Sequence, residues 1–100
     1  MSVIMVLRLD GDPAALERFA AAEPELMDGI AEAGKALGCT RHMFAAGDGE
    51  VIVIDEWPDE AGFHQFFATQ PDTHRLVEAV GATEPPRMTF YRRLETPGQF

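Results

Sequence analysis

The stretch TRHMFAAGDGEVIVIDEWPD, residues 40–59, decides the fold of this chain. Its two apolar halves flank a Gly-Asp-Gly triplet at 47–49, which is typical of a turn. This pattern predicts that strands 40–46 and 51–57 form an antiparallel hairpin. The Pro-Asp pair at 58–59 ends the second strand, because proline keeps the preceding residue extended, and its aspartate can cap a new helix.

Upstream, the apolar run VIMVLRL at 3–9 predicts a buried strand. The Asp-Pro pair at 12–13 favours a helix start, with the aspartate as N-cap and the proline in the first turn. The apolar stripe continues to Gly38, a natural helix stop, but Pro24 predicts a kink or break near Glu23.

Downstream, phenylalanines at helical spacing predict one helix after the hairpin, and Pro71 begins a second short helix that Gly81 ends. A linker precedes the last predicted strand, 87–94. The chain thus reads as a single domain over residues 1–95 with a frayed C-terminal tail at 96–100.

The order strand, helix, strand, strand, helix, strand predicts an α+β fold, the ferredoxin-like split β-α-β-β-α-β arrangement. This fold has a four-stranded antiparallel sheet with helices on one face. Both faces of the first and third strands are apolar, as Val6 beside Met5 and Ile54 beside Val53 illustrate. Soluble monomers rarely expose such an area, so we predict a homodimer in which a second sheet covers the free face.

The 100-residue chain carries a net charge of −9, and 46% of its residues are hydrophobic. This balance fits a soluble globular protein and argues against nucleic acid or an anionic membrane as a partner, since both require a basic surface. A single cysteine excludes a disulfide framework. The apolar run at 3–9 is too short for a signal peptide or a membrane span, so we expect a cytoplasmic protein.

Three segments resemble the antibiotic-biosynthesis-monooxygenase-like domains of the dimeric α/β-barrel superfamily: Gly-Cys at 38–39, EWPDEA at 56–61 and FHQFF at 63–67. The resemblance extends over residues 2–94. It implies two sheets paired into a dimeric α/β barrel, with a ligand cleft between sheet and helices in each subunit. Members of this superfamily include cofactor-independent monooxygenases of aromatic polyketides, quinol monooxygenases, haem-degrading enzymes and many proteins with no assigned activity.

Haem-degrading members resemble one another in an Asn on strand one, a Trp at the end of strand three and a His on the following helix. Trp57 matches this pattern, but the chain contains no Asn, and that position falls near Leu7. The family His falls near Phe66 or Phe67, about one turn beyond His64. We therefore expect no haem breakdown by this chain, although haem or another flat ligand could still bind.

Trp57 is the main candidate for a ligand-contacting residue, because an indole offers a flat apolar wall and one N–H donor. The alternative is a packing residue at the edge of the sheet. His64 and His74 are the candidate catalytic residues, since an imidazole can take a proton from a phenol or hydrogen-bond to it. Both could equally be solvent-facing. The predicted ligand-binding residues are Trp57, Phe63, Phe67, Tyr91 and Arg8.

No metal site and no cofactor are expected, because the spacing of His42, His64 and His74 does not match a three-His metal site. Asp55 and Glu56 are neighbours on a strand and point to opposite faces, so they cannot form a catalytic carboxylate pair. We interpret Cys39 as a small packing residue.

The first functional hypothesis is a monooxygenase that acts on a small aromatic or quinol-like substrate with molecular oxygen and no bound metal. The alternatives are a non-catalytic dimeric protein, ligand-binding or stress-associated, and a haem-binding protein. A titratable group in the cleft would favour catalysis, whereas a cleft lined only by Phe, Met and Leu would favour binding.

Overall fold

The computed structural model describes residues 2–100, which form four strands and four helices. In chain order these are β1 Val3–Asp10, α1 Pro13–Ala22, α2 Pro24–Ala36, β2 Arg41–Gly47, β3 Glu50–Trp57, α3 Glu60–Thr69, α4 Asp72–Ala79 and β4 Arg87–Arg92. The predicted order of elements is confirmed, with each helical segment divided into two helices. No helix in this part of the chain is long and apolar enough to cross a membrane.

The helix boundaries follow from local chemistry. The Asp12 carboxylate accepts a hydrogen bond from the backbone N–H of Ala14 at 3.0 Å, and Asp59 caps α3 in the same way. The predicted break near Glu23 is present, because α1 ends at Ala22 and α2 starts at Pro24. Gly38 has φ +99°, and a Cβ there would lie 2.7 Å from the Pro58 ring.

The sheet has the strand order β2-β3-β1-β4, and every neighbouring pair is antiparallel. Odd-numbered residues of β1 and β3 share its inner face, which packs against the helices. The buried hydrophobic core combines this face with the helices and contains Met5, Leu7, Leu9, Leu16, Ile30, Val51, Trp57, Phe63, Phe66, Leu76 and Val80. The chain is therefore the predicted α+β fold, with a sheet layer and a helix layer.

The outer face of the sheet is apolar in its middle and charged at both ends. Even-numbered residues of β1 and β3, which pair across the two strands, supply the apolar middle. Half-exposed Met43 and Tyr91 extend it onto the flanking strands. The apolar members are Ile4, Val6, Met43, Ile52, Ile54 and Tyr91. Ion pairs Arg8–Glu50 and Arg87–Asp10 lie at one end, and Glu56 lies with Arg41 and Arg93 at the other.

Candidate functional site

Two adjoining spaces lie on the inner side of the sheet. The inner cavity, about 50 Å³, lies between sheet and helices and has a mostly apolar lining. The outer cleft, about 210 Å³, lies between α2 and the start of β2. The two spaces share four lining residues, namely Ile30, His42, Asp55 and Phe66. The polar wall common to both is therefore made by His42 and Asp55.

His42, Asp55 and Trp57 form a hydrogen-bonded network at this wall. Asp55 is buried, and its Oδ1 lies 2.6 Å from Nδ1 of His42. Its second oxygen, Oδ2, accepts the indole N–H of Trp57 at 3.1 Å. Both carboxylate oxygens thus have a partner, which is what a buried carboxylate requires.

This network orients the ring of His42. A carboxylate accepts hydrogen bonds, so it favours the neutral tautomer of His42 that has its proton on Nδ1 and its lone pair on Nε2. Within residues 2–100, no group hydrogen-bonds to Nε2. The imidazole is partly exposed and lines both spaces, so it can take a proton from a ligand in the cleft. The Asp55 carboxylate would then stabilise the imidazolium that forms.

The hairpin turn brings His42 and Asp55 together. Gly47 pairs with Glu50, so only Asp48 and Gly49 form the connection, with Gly49 at φ +69°. A two-residue turn fixes the register, and this register places position 42 opposite position 55 on the inner face. Sequence reasoning found the turn and placed Asp55 and Glu56 on opposite faces but did not pair the two strands residue by residue. Counting outward from the turn would have found this pair.

Trp57, predicted to wall a ligand cleft, is 1% exposed and lies at the end of β3. Its indole packs against Phe63 and Phe66, with ring centroids 5.9 and 5.3 Å away, and its edge lines the outer cleft. The residue therefore has packing contacts on one side and a cleft-lining surface on the other.

His64 and His74 lie on exposed surfaces of α3 and α4 and line neither the inner cavity nor the outer cleft. Their rings lie near aromatic neighbours: the ring centroid of Phe90 is 5.3 Å from that of His64, and the ring centroid of Phe67 is 5.4 Å from that of His74. The structure thus does not bring the two candidate histidines together with Trp57.

The remaining predicted ligand-binding residues divide between the two faces of the sheet. Phe63 and Phe67 line the inner cavity, and their rings stack with centroids 5.6 Å apart. Tyr91 and Arg8 lie on the outer face, where Tyr91 is half exposed and Arg8 pairs with Glu50 at 3.8 Å. The two outer residues are separated from the cleft by the sheet itself.

Cys39 lines the outer cleft beside the network and is not activated. Burial, together with the nearby negative charge of Asp55, raises the pKa of its thiol from 9.0 to about 11. Its Sγ–H donates a hydrogen bond to the carbonyl oxygen of Arg41 at 3.1 Å. Within residues 2–100, no group of three or more His, Cys, Asp or Glu side chains could hold a metal ion.

The raised pKa of Cys39 predicts that its thiol reacts slowly with disulfide reagents. A rise from 9.0 to about 11 lowers the thiolate fraction at pH 8 by on the order of 100-fold, and only the thiolate attacks disulfide reagents. We expect native Cys39 to react with a chromogenic disulfide about 100-fold more slowly than the same thiol in urea. Equal rates for the native and the unfolded protein would contradict this prediction.

Comparisons with known proteins agree on the fold. No protein-family model and no curated protein matches the chain. Among solved structures, the ActVA-Orf6 monooxygenase of Streptomyces coelicolor, in complex with nanaomycin D, superposes with a TM-score of 0.65 at 20% identity, covering 97% of this chain and 93% of that one. SnoaB, a cofactor-independent oxygenase from Streptomyces nogalater, superposes with a TM-score of 0.61 at 20% identity, and the match covers 98% of each chain.

A protein of unknown function from Nitrosomonas europaea also matches, with a TM-score of 0.59 at 19% identity, covering 99% of this chain and 95% of that one. The resemblance inferred from the sequence is therefore confirmed as a shared fold. The chain has the fold of the antibiotic biosynthesis monooxygenases.

The Trp57→Phe substitution tests the double role of the indole. We expect a folded protein that is about 1–2 kcal/mol less stable, because a ring still fills most of the volume but the hydrogen bond to Asp55 is lost. Affinity for a planar aromatic ligand should also fall, since the cleft loses flat contact area. Thermal melts and calorimetric titrations measure the two effects. Reduced stability with unchanged affinity would leave Trp57 as a packing residue only.

Proposed function

We propose that the protein is a cofactor-independent monooxygenase that oxidises a small phenolic or quinol-like aromatic compound with molecular oxygen. The observation that carries the proposal is the His42–Asp55 pair, 2.6 Å apart, in the wall of a cleft that also contains Trp57. A cleft with only apolar side chains would favour binding alone, whereas this one presents an imidazole whose free nitrogen can act as a base. His42 thus takes the role that the sequence suggests for His64 or His74.

The chemistry needs little from the protein beyond a base and a dry site. Nε2 of His42 takes the phenolic proton, and the phenolate transfers one electron to O₂, which gives a phenoxyl radical and superoxide. These two combine at a ring carbon to form a peroxide anion, which His42 reprotonates. Loss of water from this hydroperoxide, with the ring C–H hydrogen, leaves a carbonyl. Overall, the phenol and O₂ become a quinone and one water.

The dimensions of the site favour a small substrate. Drug-sized ligands usually occupy about 300 Å³ or more, and the outer cleft offers about 210 Å³. A one- or two-ring aromatic compound suits this space. The inner cavity behind it has an apolar lining, and low polarity on that side of the ring would strengthen the electrostatic effect of Asp55.

We also propose that the working form is a homodimer in which the apolar outer faces of two sheets pack together. The face carries branched aliphatic residues on both central strands, which are costly to expose as a continuous patch. The charged residues at its two ends pair within the chain and would frame the apolar contact.

Oxygen uptake with a panel of phenols and hydroquinones tests the proposed activity. We expect enzyme-dependent consumption of one O₂ per quinone formed, without added metal, flavin or haem, and insensitivity to chelators. Autoxidation is subtracted with heat-denatured protein. Binding of the same compounds by calorimetry without any oxygen uptake would refute catalysis and leave a ligand-binding protein.

A haem titration tests the third hypothesis. We expect no breakdown of added haem under ascorbate and oxygen, because the chain has no Asn and His64 is displaced from the position of the family His. The Soret absorbance should stay constant apart from the rate seen without protein. Its loss together with iron release would contradict the prediction.

A further inference from the structure

A third open space, the end groove, adjoins the outer cleft. It measures about 470 Å³ and lies where β2 begins and β3 ends. Thr40, Arg41 and Trp57 line both the end groove and the outer cleft. A ligand that rests against Trp57 can therefore extend into the end groove without crossing the core.

The end groove carries an excess of positive charge. Arg41 and Arg93 both face the single carboxylate of Glu56, which is 5% exposed. Arg93 donates a hydrogen bond to Oε2 of Glu56 at 2.9 Å, and the Ser2 hydroxyl donates to the same oxygen at 2.6 Å. These two hydrogen bonds hold the pKa of Glu56 below its usual 4.5, so this carboxylate is ionised at neutral pH.

Arg41 is bound less completely than Arg93. Its Nε lies 3.5 Å from Oε1 of Glu56, which is an ion contact, and no acceptor within residues 2–100 takes a hydrogen bond from its guanidinium. The side chain is 55% exposed. A guanidinium has five N–H donors in a planar fork that matches a carboxylate. Arg41 lies on the outer face opposite Glu56, but it is the first residue of the edge strand β2, so its free donors lie at the end of the sheet, where the end groove meets the outer cleft.

We propose that the ligand of this site is an aromatic acid, whose ring occupies the outer cleft beside Trp57 and whose carboxylate is bound by Arg41. The aromatic part of this inference rests on the proposed function, whereas the anionic part rests on the free guanidinium. Lys35 also lines the outer cleft, but its ammonium is paired with Glu32 at 3.1 Å, so the anionic part does not rest on it. In a chain of net charge −9, the end groove has two arginines and one carboxylate in its lining, so its lining is net positive.

A matched pair of ligands tests the inference by calorimetry on the wild-type protein. The probes are 1-hydroxy-2-naphthoate and 1-naphthol, which share the ring and the hydroxyl and differ in the carboxylate. We expect the acid to bind about tenfold or more tightly, because a charge-assisted hydrogen bond contributes that much in a partly enclosed site. The preference should weaken as salt concentration rises.

Variants then locate the carboxylate. In Arg41→Gln the ratio of the affinities for the acid and for 1-naphthol should fall to near one. Arg41→Lys should keep part of this preference, because the lysine retains a positive charge. The control Arg18→Gln removes the same charge on α1, where Arg18 pairs with Asp12, and should keep the full preference. Thermal melts check that each variant is folded.

Equal affinities for the two probes in the wild type, or an unchanged preference in Arg41→Gln, would overturn the inference. Calorimetry reports binding and does not depend on turnover. A carboxylate preference that depends on Arg41, found without oxygen uptake, would therefore refute the proposed activity and keep the anion site.

Discussion

The His42→Gln substitution is expected to lower the turnover number by about 10²–10⁴-fold, the usual contribution of a general base. Glutamine can still donate a hydrogen bond to Asp55, but it has no basic nitrogen to accept the substrate proton. Ligand affinity should change much less than turnover, because the cleft keeps its aromatic wall. Oxygen-uptake kinetics and calorimetry on the same preparation separate the two effects.

Matched histidine variants sharpen this test. His64→Gln and His74→Gln remove the same chemistry from the exposed surfaces of α3 and α4, and both should keep turnover within about threefold of wild type. The turnover number of Asp55→Asn should lie between those of these two variants and that of His42→Gln, because an amide can hold the His42 ring but cannot fix its productive tautomer. A larger loss of turnover in His64→Gln than in His42→Gln would indicate that the general base is His64 on α3.

The Ile54→Asp substitution is expected to convert a dimer into a monomer. Ile54 lies in the middle of the outer face, opposite Val6 on β1 and Met43 on β2. In a twofold dimer each substitution acts twice, so two unpaired carboxylates would be buried against apolar side chains. Sedimentation at micromolar concentration should show wild type at about twice the 11.0 kDa chain mass and the variant at about that mass.

A neighbouring residue supplies the control for the dimer test. Val53 lies beside Ile54 on β3 but faces the helices, opposite Leu7. Val53→Asp should therefore destabilise the fold of each chain, by about 3 kcal/mol or more, as should Met5→Asp at a fully buried position. The Ile54→Asp variant should instead keep the circular dichroism spectrum of the wild-type protein. A monomeric wild-type protein would remove the dimer from the proposal.

Much of the fold was predictable because its signals are local. The Asp12 and Asp59 caps and the break before Pro24 each depend on a few adjacent residues, and all three are present. The alternation of side chains along a strand also assigned each residue of β1 and β3 to a face before any pairing was known. The ends of strands were less predictable: the last strand stops at Arg92, two residues early.

The candidate site was not predictable from the same signals. His42 lies on an exposed edge strand, and neither its neighbours nor its spacing marks it as special. Its partner Asp55 is 13 positions away, and only the register of the hairpin places the two side chains 2.6 Å apart. His64 and His74 were candidates because an imidazole on either predicted helix could take a phenolic proton, yet α3 and α4 present them to solvent.

The sequence by itself thus determined the order of elements and which residues of β1 and of β3 share a face. These follow from backbone preferences and side-chain alternation, which act over a few residues. Only the tertiary structure decided which titratable groups meet, because strand register and helix packing join positions that are far apart in the chain. At that junction Asp55 meets two hydrogen-bonding partners, His42 and Trp57, and His42 lies in the wall of the cleft.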